Sequence, residues 1–295
     1  VTIDDAALAL DEMRVATPLG ELRLRVGGEG PPIIFWSSLM MDGGMWLGVA
    51  AQLLPHYRVI LVDPPGHGGS APLAARFDFT ACADCIVAIL DKLGIERAHY
   101  VGNSWGAMIG GTFAALHPHR IGAAVLMNGT ASPCPAAQRV EFRTMILAAR
   151  LLRGIKGPFR TKAVAAFLGP TTMRERPEVV EAVRAALARV DFRSVRWAVD
   201  SVVPRRPDQR ALFATIRTPV LVVAGREDAT FPVAETRLVA ECIAGAAFVE
   251  MPDAAHLAGL ECPEEAARMI DAFIAASAID LMAGSSAAAS PRALP

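Results

Sequence analysis

Val101-Gly102-Asn103-Ser104-Trp105-Gly106-Ala107 is the stretch on which the fold turns. Ala98 to Gly102 before it is a short β-rich run. Trp105 to Leu116 after it is a helical pattern stopped before Pro118. Gly-x-Ser-x-Gly between a strand and a helix reads as a nucleophile elbow. Such a turn is sharp and strained at the serine, so the residues two before and two after must lack side chains; Gly102 and Gly106 do. Ser104 Oγ is then expected at the C-terminal edge of a sheet, and the Trp105 backbone N–H is expected to face a developing oxyanion at the helix N-terminus.

Outward from the elbow, apolar runs alternate with helical patterns. A hairpin is expected from Glu12 to Ala16 and Glu21 to Val26 around Pro18-Leu19-Gly20. Strands are expected at Pro32–Trp36, Arg58–Val62, Ala123–Met127, Pro219–Ala224 and Ala246–Met251, and helices at Met45–Leu54, Thr80–Leu93, Val233–Cys242 and Pro263–Ala275. This is the pattern of an α/β fold, a mainly parallel sheet with helices on both faces. Between Ser132 and Arg210 strand signals vanish, and helices are expected at Ala136–Leu152, Thr161–Leu168, Glu178–Val190 and Arg193–Val203. We read residues 1–131 and 211–278 as the core, 132–210 as a helical cap, and 279–295 as a disordered tail. The cap holds 16 Lys or Arg against 7 Asp or Glu. Solvated helix faces account for that excess most simply; arginines that favour an anionic substrate are the functional alternative.

The bulk numbers narrow the class. Hydrophobic residues make up 53% of the 295 and charged residues 20%, enough apolar material for a large core. A formal net charge of −1 provides no global field for nucleic acid or an anionic membrane. No apolar run is long enough to span a bilayer, and no basic-then-apolar segment marks a signal peptide. Five cysteines without a framework pattern point to a reducing, cytoplasmic compartment. Cys82 and Cys85 lie inside a helical pattern and read as small buried residues.

A serine hydroxyl needs a base. Of six histidines, His256 lies in Met251-Pro-Asp-Ala-Ala-His-Leu257, a loop between a strand and the last helix. His117 and His119 stand at the far end of the elbow helix, and His56 and His99 precede strands at the wrong sheet edge. His67, in Asp63-Pro-Pro-Gly-His-Gly-Gly-Ser70, is the remaining rival. The base needs a carboxylate to fix its tautomer. Asp228, where Leu221-Val-Val-Ala-Gly-Arg-Glu-Asp228 runs from strand into turn, is the choice, with Glu227 as its neighbouring alternative. A second oxyanion donor is expected from Trp36-Ser-Ser-Leu-Met-Met-Asp42, at the Leu39 N–H. Trp36, Ser38, Met40, Met41, Met145, Phe167 and Trp197 are candidate pocket residues.

These marks together make the chain resemble the α/β-hydrolase superfamily over residues 12–277. They are Asp63-Pro-Pro-Gly-His-Gly-Gly-Ser70, Gly102-Asn-Ser-Trp-Gly106, Gly225-Arg-Glu-Asp228 and His256. The resemblance implies that the helical insertion covers the site. Ser37-Ser38-Leu39 followed by Met45-Trp46 is similar to the 3-oxoadipate enol-lactonases. Gly-Asn-Ser is similar to hydrolases of meta-cleavage products, although Trp105 and Leu257 depart from their pattern. The expected activity is cleavage of a hydrophobic ester or lactone through an acyl-enzyme, without metal or organic cofactor. Carbon–carbon hydrolysis of a vinylogous diketone, and a non-catalytic ligand receptor on the same fold, are the rivals. The expected partner is a small-molecule substrate, not nucleic acid or membrane, and a homo-oligomer stays open.

Overall fold

The computed structural model describes residues 8–151 and 157–288. Eight strands form one sheet: β1 (Asp11–Thr17), β2 (Gly20–Gly27), β3 (Pro32–Trp36), β4 (Arg58–Val62), β5 (Ala98–Asn103), β6 (Ile121–Met127), β7 (Val220–Gly225) and β8 (Ala247–Met251). Their order is β1-β2-β4-β3-β5-β6-β7-β8. β2 runs antiparallel to both β1 and β4, and the pairs from β4 to β8 are parallel.

The helices are α1 (Leu47–Leu53), α2 (Phe79–Lys92), α3 (Trp105–Leu116), α4 (Ala136–Leu151), α5 (Pro158–Phe167) and α6 (Pro170–Glu175). They continue as α7 (Pro177–Arg189), α8 (Phe192–Val202), α9 (Arg210–Phe213), α10 (Val233–Cys242), α11 (Ala258–Glu261) and α12 (Pro263–Ala288). Alternation along the strands splits the core in two. Ile34, Trp36 and Tyr100 pack with α2 and α3 on one face, whereas Ile33, Phe35 and Val101 pack with α1 and α12 on the other. Cys82 and Cys85 are buried on the first face as free thiols, and burial pushes both thiol pKa values up.

After β3 the chain steps one way in the sheet to β4, then returns to the other side of β3 as β5. Connections leaving β3 and β5 in opposite directions open a crevice at their C-terminal ends, where α/β sheets bind ligands. Helices α4 to α9 occupy the chain between β6 and β7 and cover that edge. Helix α8 is tied to the core by Ser194 Oγ, which accepts from Leu73 N at 2.8 Å, and by Ser201 Oγ, which accepts from Phe77 N at 3.1 Å.

The short helices α6, α9 and α11, four to six residues each, were not expected; each is too short to display a 3.6-residue repeat. The last helix runs to Ala288, into the segment read as a tail. Alanine, leucine and methionine there are strong helix formers despite the small, polar overall texture. The remainder of that expected tail, 289–295, and Leu152 of the expected first cap helix lie outside the described residues.

Candidate active site

The strained turn at Ser104 comes first. Its backbone has φ +56° and ψ −110°, a conformation that L-residues rarely adopt. A Cβ on Gly102 would lie 2.3 Å from the Gly106 carbonyl oxygen, and one on Gly106 would lie 2.3 Å from the Trp36 carbonyl oxygen. Tyr100 Oη donates to that Gly106 carbonyl at 2.7 Å, which closes the elbow against β5.

His256 reaches Ser104 from the loop between β8 and α11. Its Nδ1 lies 2.9 Å from Asp228 Oδ2 and its Nε2 2.8 Å from Ser104 Oγ. A carboxylate beside Nδ1 accepts, so Nδ1 carries the hydrogen and Nε2 accepts from the serine hydroxyl. Asp228 is held in turn, because its Oδ1 accepts from the backbone N–H groups of Thr230 at 2.7 Å and Phe231 at 3.1 Å. The imidazole lies between Phe167 (5.7 Å, 9° between planes) and Phe231 (5.6 Å, 57°). Glu227 takes another role: its carboxylate accepts from Thr171 N and Oγ1 at the start of α6.

The loop after β3 brings Leu39 to the same cavity as Ser104. The Leu39 N–H has no acceptor among the described residues. The Trp105 N–H opens α3, where helix geometry leaves it without an intrahelical partner. The next residue, Met40, has φ +67° and donates its N–H to His67 Nε2 at 3.0 Å. His67 Nδ1 faces the Pro65 carbonyl at 2.9 Å, so this ring is the Nδ1–H tautomer. Burial lowers the His67 pKa, which keeps Nε2 free to accept. His67 therefore braces the Leu39 loop and lies away from Ser104's proton.

Four further residues hold the site, and the sequence reading passed over their roles. Asn103 Nδ2 donates to Ser38 Oγ at 2.8 Å and to the His256 carbonyl at 2.7 Å. Asn128, at φ +50°, donates to the carbonyls of Ala255 and His256 and accepts from Gly225 N at 2.6 Å. Glu261, buried at 2% exposure, accepts the N–H groups of Ala255 and Leu257 on Oε1. Its Oε2 accepts from Thr172 Oγ1 in the cap at 2.7 Å. Burial, the leading cause, raises the Glu261 pKa above the ordinary value. Asp63, also buried, accepts from Gly43 N, Gly69 N and Arg23 Nε, which fastens the loop that carries His67.

A cavity of about 340 Å³ opens on Ser104 and His256 beneath the cap. Of the expected pocket residues, Met40, Met145 and Phe167 line it, beside the expected oxyanion donor Leu39. Trp36, Ser38, Met41 and Trp197 do not. Trp36 is fully buried, edge-on to Trp105 at 5.8 Å. Ser38 is buried on Asn103, and Met41 belongs to the core on the opposite sheet face. Trp197 lies two residues, about 200° of helix, from Val199 on the lining face of α8; Arg196 stacks 3.9 Å over its ring. The cap wall is instead built by Phe142, Ile146, Phe192, Val199 and Val202, whose spacing follows the helical repeat.

A strained serine at a strand-to-helix turn, on a sheet of this order with an inserted helical cap, defines an α/β-hydrolase. The chain belongs to the alpha/beta hydrolase fold family, which matches residues 31–263. It is 27% identical to 3-oxoadipate enol-lactonase 2 of Acinetobacter baylyi over 244 residues, covering 83% of this chain and 88% of that protein. Among solved structures it is similar to a thermophilic esterase from Thermogutta terrifontis (TM-score 0.83, 26% identity, 90% of this chain and 99% of that one). It is also similar to the enol-lactonase from Burkholderia xenovorans (TM-score 0.78, 27% identity, 89% and 100%). Among the described residues, no helix is long and apolar enough to cross a membrane.

Proposed function

We propose that the chain is a serine hydrolase that cleaves a carboxylic ester or lactone of a hydrophobic small molecule through an acyl-enzyme on Ser104. The observation that carries this reading is the unbroken relay from Ser104 Oγ through His256 to Asp228, at 2.8 and 2.9 Å. His256 Nε2 takes the serine proton as Oγ attacks the carbonyl carbon. Asp228 stabilises the imidazolium without itself taking a proton. The N–H groups of Leu39 and Trp105 receive the negative charge that develops on the carbonyl oxygen, and the N-terminal end of α3 adds its dipole. His256 then protonates the departing alkoxide oxygen. A water, deprotonated by the same nitrogen, attacks the acyl carbon and releases the acid with Ser104 restored.

The largely apolar wall beneath the cap favours a hydrophobic substrate. The similarity to an esterase and to two proteins named as enol-lactonases supports the ester or lactone bond. Asn103, on which the similarity to the carbon–carbon hydrolases rests, is engaged with Ser38 and the His256 carbonyl. Five free thiols fit a reducing, cytoplasmic setting. The test is turnover of a panel of p-nitrophenyl esters, lactones and coloured dienoates. Esters or lactones turned over by the wild type, with kcat down by about 10⁴ or more in Ser104→Ala, support the reading. Turnover of dienoates alone, or full activity in Ser104→Ala, overturns it.

A further inference from the structure

One charged side chain in the cavity wall has no part in the reaction above. Arg206, between α8 and α9, is 8% exposed and lines the cavity. Its Nε–H donates to the Ser132 carbonyl at 3.0 Å, and Nη2 lies 3.5 Å from Gln138 Oε1. Both acceptors are neutral. A guanidinium has five N–H donors in a fixed fork, so these two leave three uncommitted. Among the described residues, no carboxylate lies within ion-pair distance of it. Glu235 acts on it only through space, and that side chain is engaged with Thr130. The other charged residues at the cavity, Glu141 and Lys162, are exposed at its rim.

A buried cation with only neutral partners is costly. Burial depresses the Arg206 pKa, yet a guanidinium stays protonated in proteins. An anion entering the cavity offsets that cost. The charge is also well placed to act on substrate. The guanidinium carbon lies 5.5 Å from the Phe231 ring centre, and the same ring is 5.6 Å from the His256 imidazole. The fixed positive charge and the base that would act on Ser104 therefore neighbour the same aromatic ring.

We infer that Arg206 is a specificity-determining residue that binds a carboxylate carried by the substrate beyond the scissile ester or lactone. The substrate is then amphipathic, with an apolar middle against the cap and an anionic end on Arg206. Planar carboxylate matches the guanidinium fork through two parallel N–H···O bonds. The inference rests on the esterase or lactonase reading and narrows its substrate class.

The experiment compares esters matched in length that differ only in a terminal carboxylate, placed on the acyl side in one pair and on the alcohol side in the other. The wild type is expected to prefer the carboxylate-bearing member of at least one pair. In Arg206→Met the ratio of kcat/KM, anionic over neutral, is expected to fall by about tenfold to a hundredfold, because a charged hydrogen-bonding group is removed. Arg206→Lys is expected to restore part of that ratio. The ratio is internal to each variant, so general damage from loss of the Ser132 contact cancels. A wild type without preference in either pair, or a ratio that Arg206→Met leaves unchanged, overturns the inference while the esterase reading stands. Failure to cleave any member, together with no fluorophosphonate adduct on Ser104, overturns the esterase reading and this inference with it.

Discussion

Glu261 holds His256 from both sides: one of its carboxylate oxygens accepts the N–H of Ala255 and that of Leu257, each at 3.0 Å. The other oxygen accepts from Thr172 of the cap. One buried carboxylate thus fixes the histidine loop and ties it to the covering helices. Glu261→Ala leaves two buried N–H groups without acceptors, each costing about 1–3 kcal/mol. A stability loss of about 2–5 kcal/mol is expected by chemical denaturation, with a fall in kcat larger than any change in KM. A variant as stable and as active as wild type would remove Glu261 from the account.

The same carboxylate sets a pH dependence. Burial raises its folded pKa above the ordinary value of 4.5, although the hydrogen bonds from Thr172, Ala255, Leu257 and Gly169 oppose part of that rise. The folded chain therefore holds this proton more tightly than the unfolded chain does. The resulting contribution is fully present below the unfolded value, is lost as pH rises through the folded value, and is flat above it. Glu261→Gln keeps a carbonyl acceptor but cannot titrate. The stability of the wild type relative to Glu261→Gln is expected to be greatest in acid and to decline with rising pH. Urea titrations at several pH values measure it, and a difference that grows with pH contradicts the assignment.

His67 is expected to matter for rate through the loop it braces. His67→Ala strands the Met40 N–H, next to the proposed Leu39 donor. The penalty of about 1–3 kcal/mol for an unmatched buried group converts to a rate loss of up to about a hundredfold if it falls on the transition state. The expected signature is a lower kcat with KM little moved, measured on a neutral ester. An increase in KM alone would instead place His67 in substrate binding.

Gly106→Ala tests the elbow. Its Cβ meets the Trp36 carbonyl oxygen at 2.3 Å, and backbone cannot swing aside as a side chain does. We expect destabilisation on the order of 3 kcal/mol or more, seen as a large fall in melting temperature or loss of soluble protein. A melting temperature equal to wild type would show that the turn is looser than described.

The regular elements and the relay were legible in the sequence for different reasons. β3, β4, α3 and α10 coincide with the expected spans because turn residues flank strong apolar periodicity. Ser104, His256 and Asp228 stand out because each closes a strand with loop chemistry. The residues behind them do not. Asn103, Asn128 and Glu261 are single polar residues that touch partners 4 to 153 positions away, and no local pattern encodes such a set of pairings. His67 appeared in the sequence as a rival base, and its bracing role emerges only when its two ring nitrogens are assigned. Apolar character alone points to Trp36 and Trp197 as readily as to Met145 and Phe167. Helical phase in the cap, 142, 145 and 146 with 192, 199 and 202, is the signal that identifies the wall.

The most direct measurement is the intact mass of the protein after exposure to a fluorophosphonate, with the modified residue located by peptide mapping. A single adduct on Ser104 is expected, absent in Ser104→Ala and formed far more slowly in His256→Ala. A protein that stays folded yet takes no adduct, or takes it on another residue at equal rate in both variants, would contradict the claim that Ser104 is an activated nucleophile.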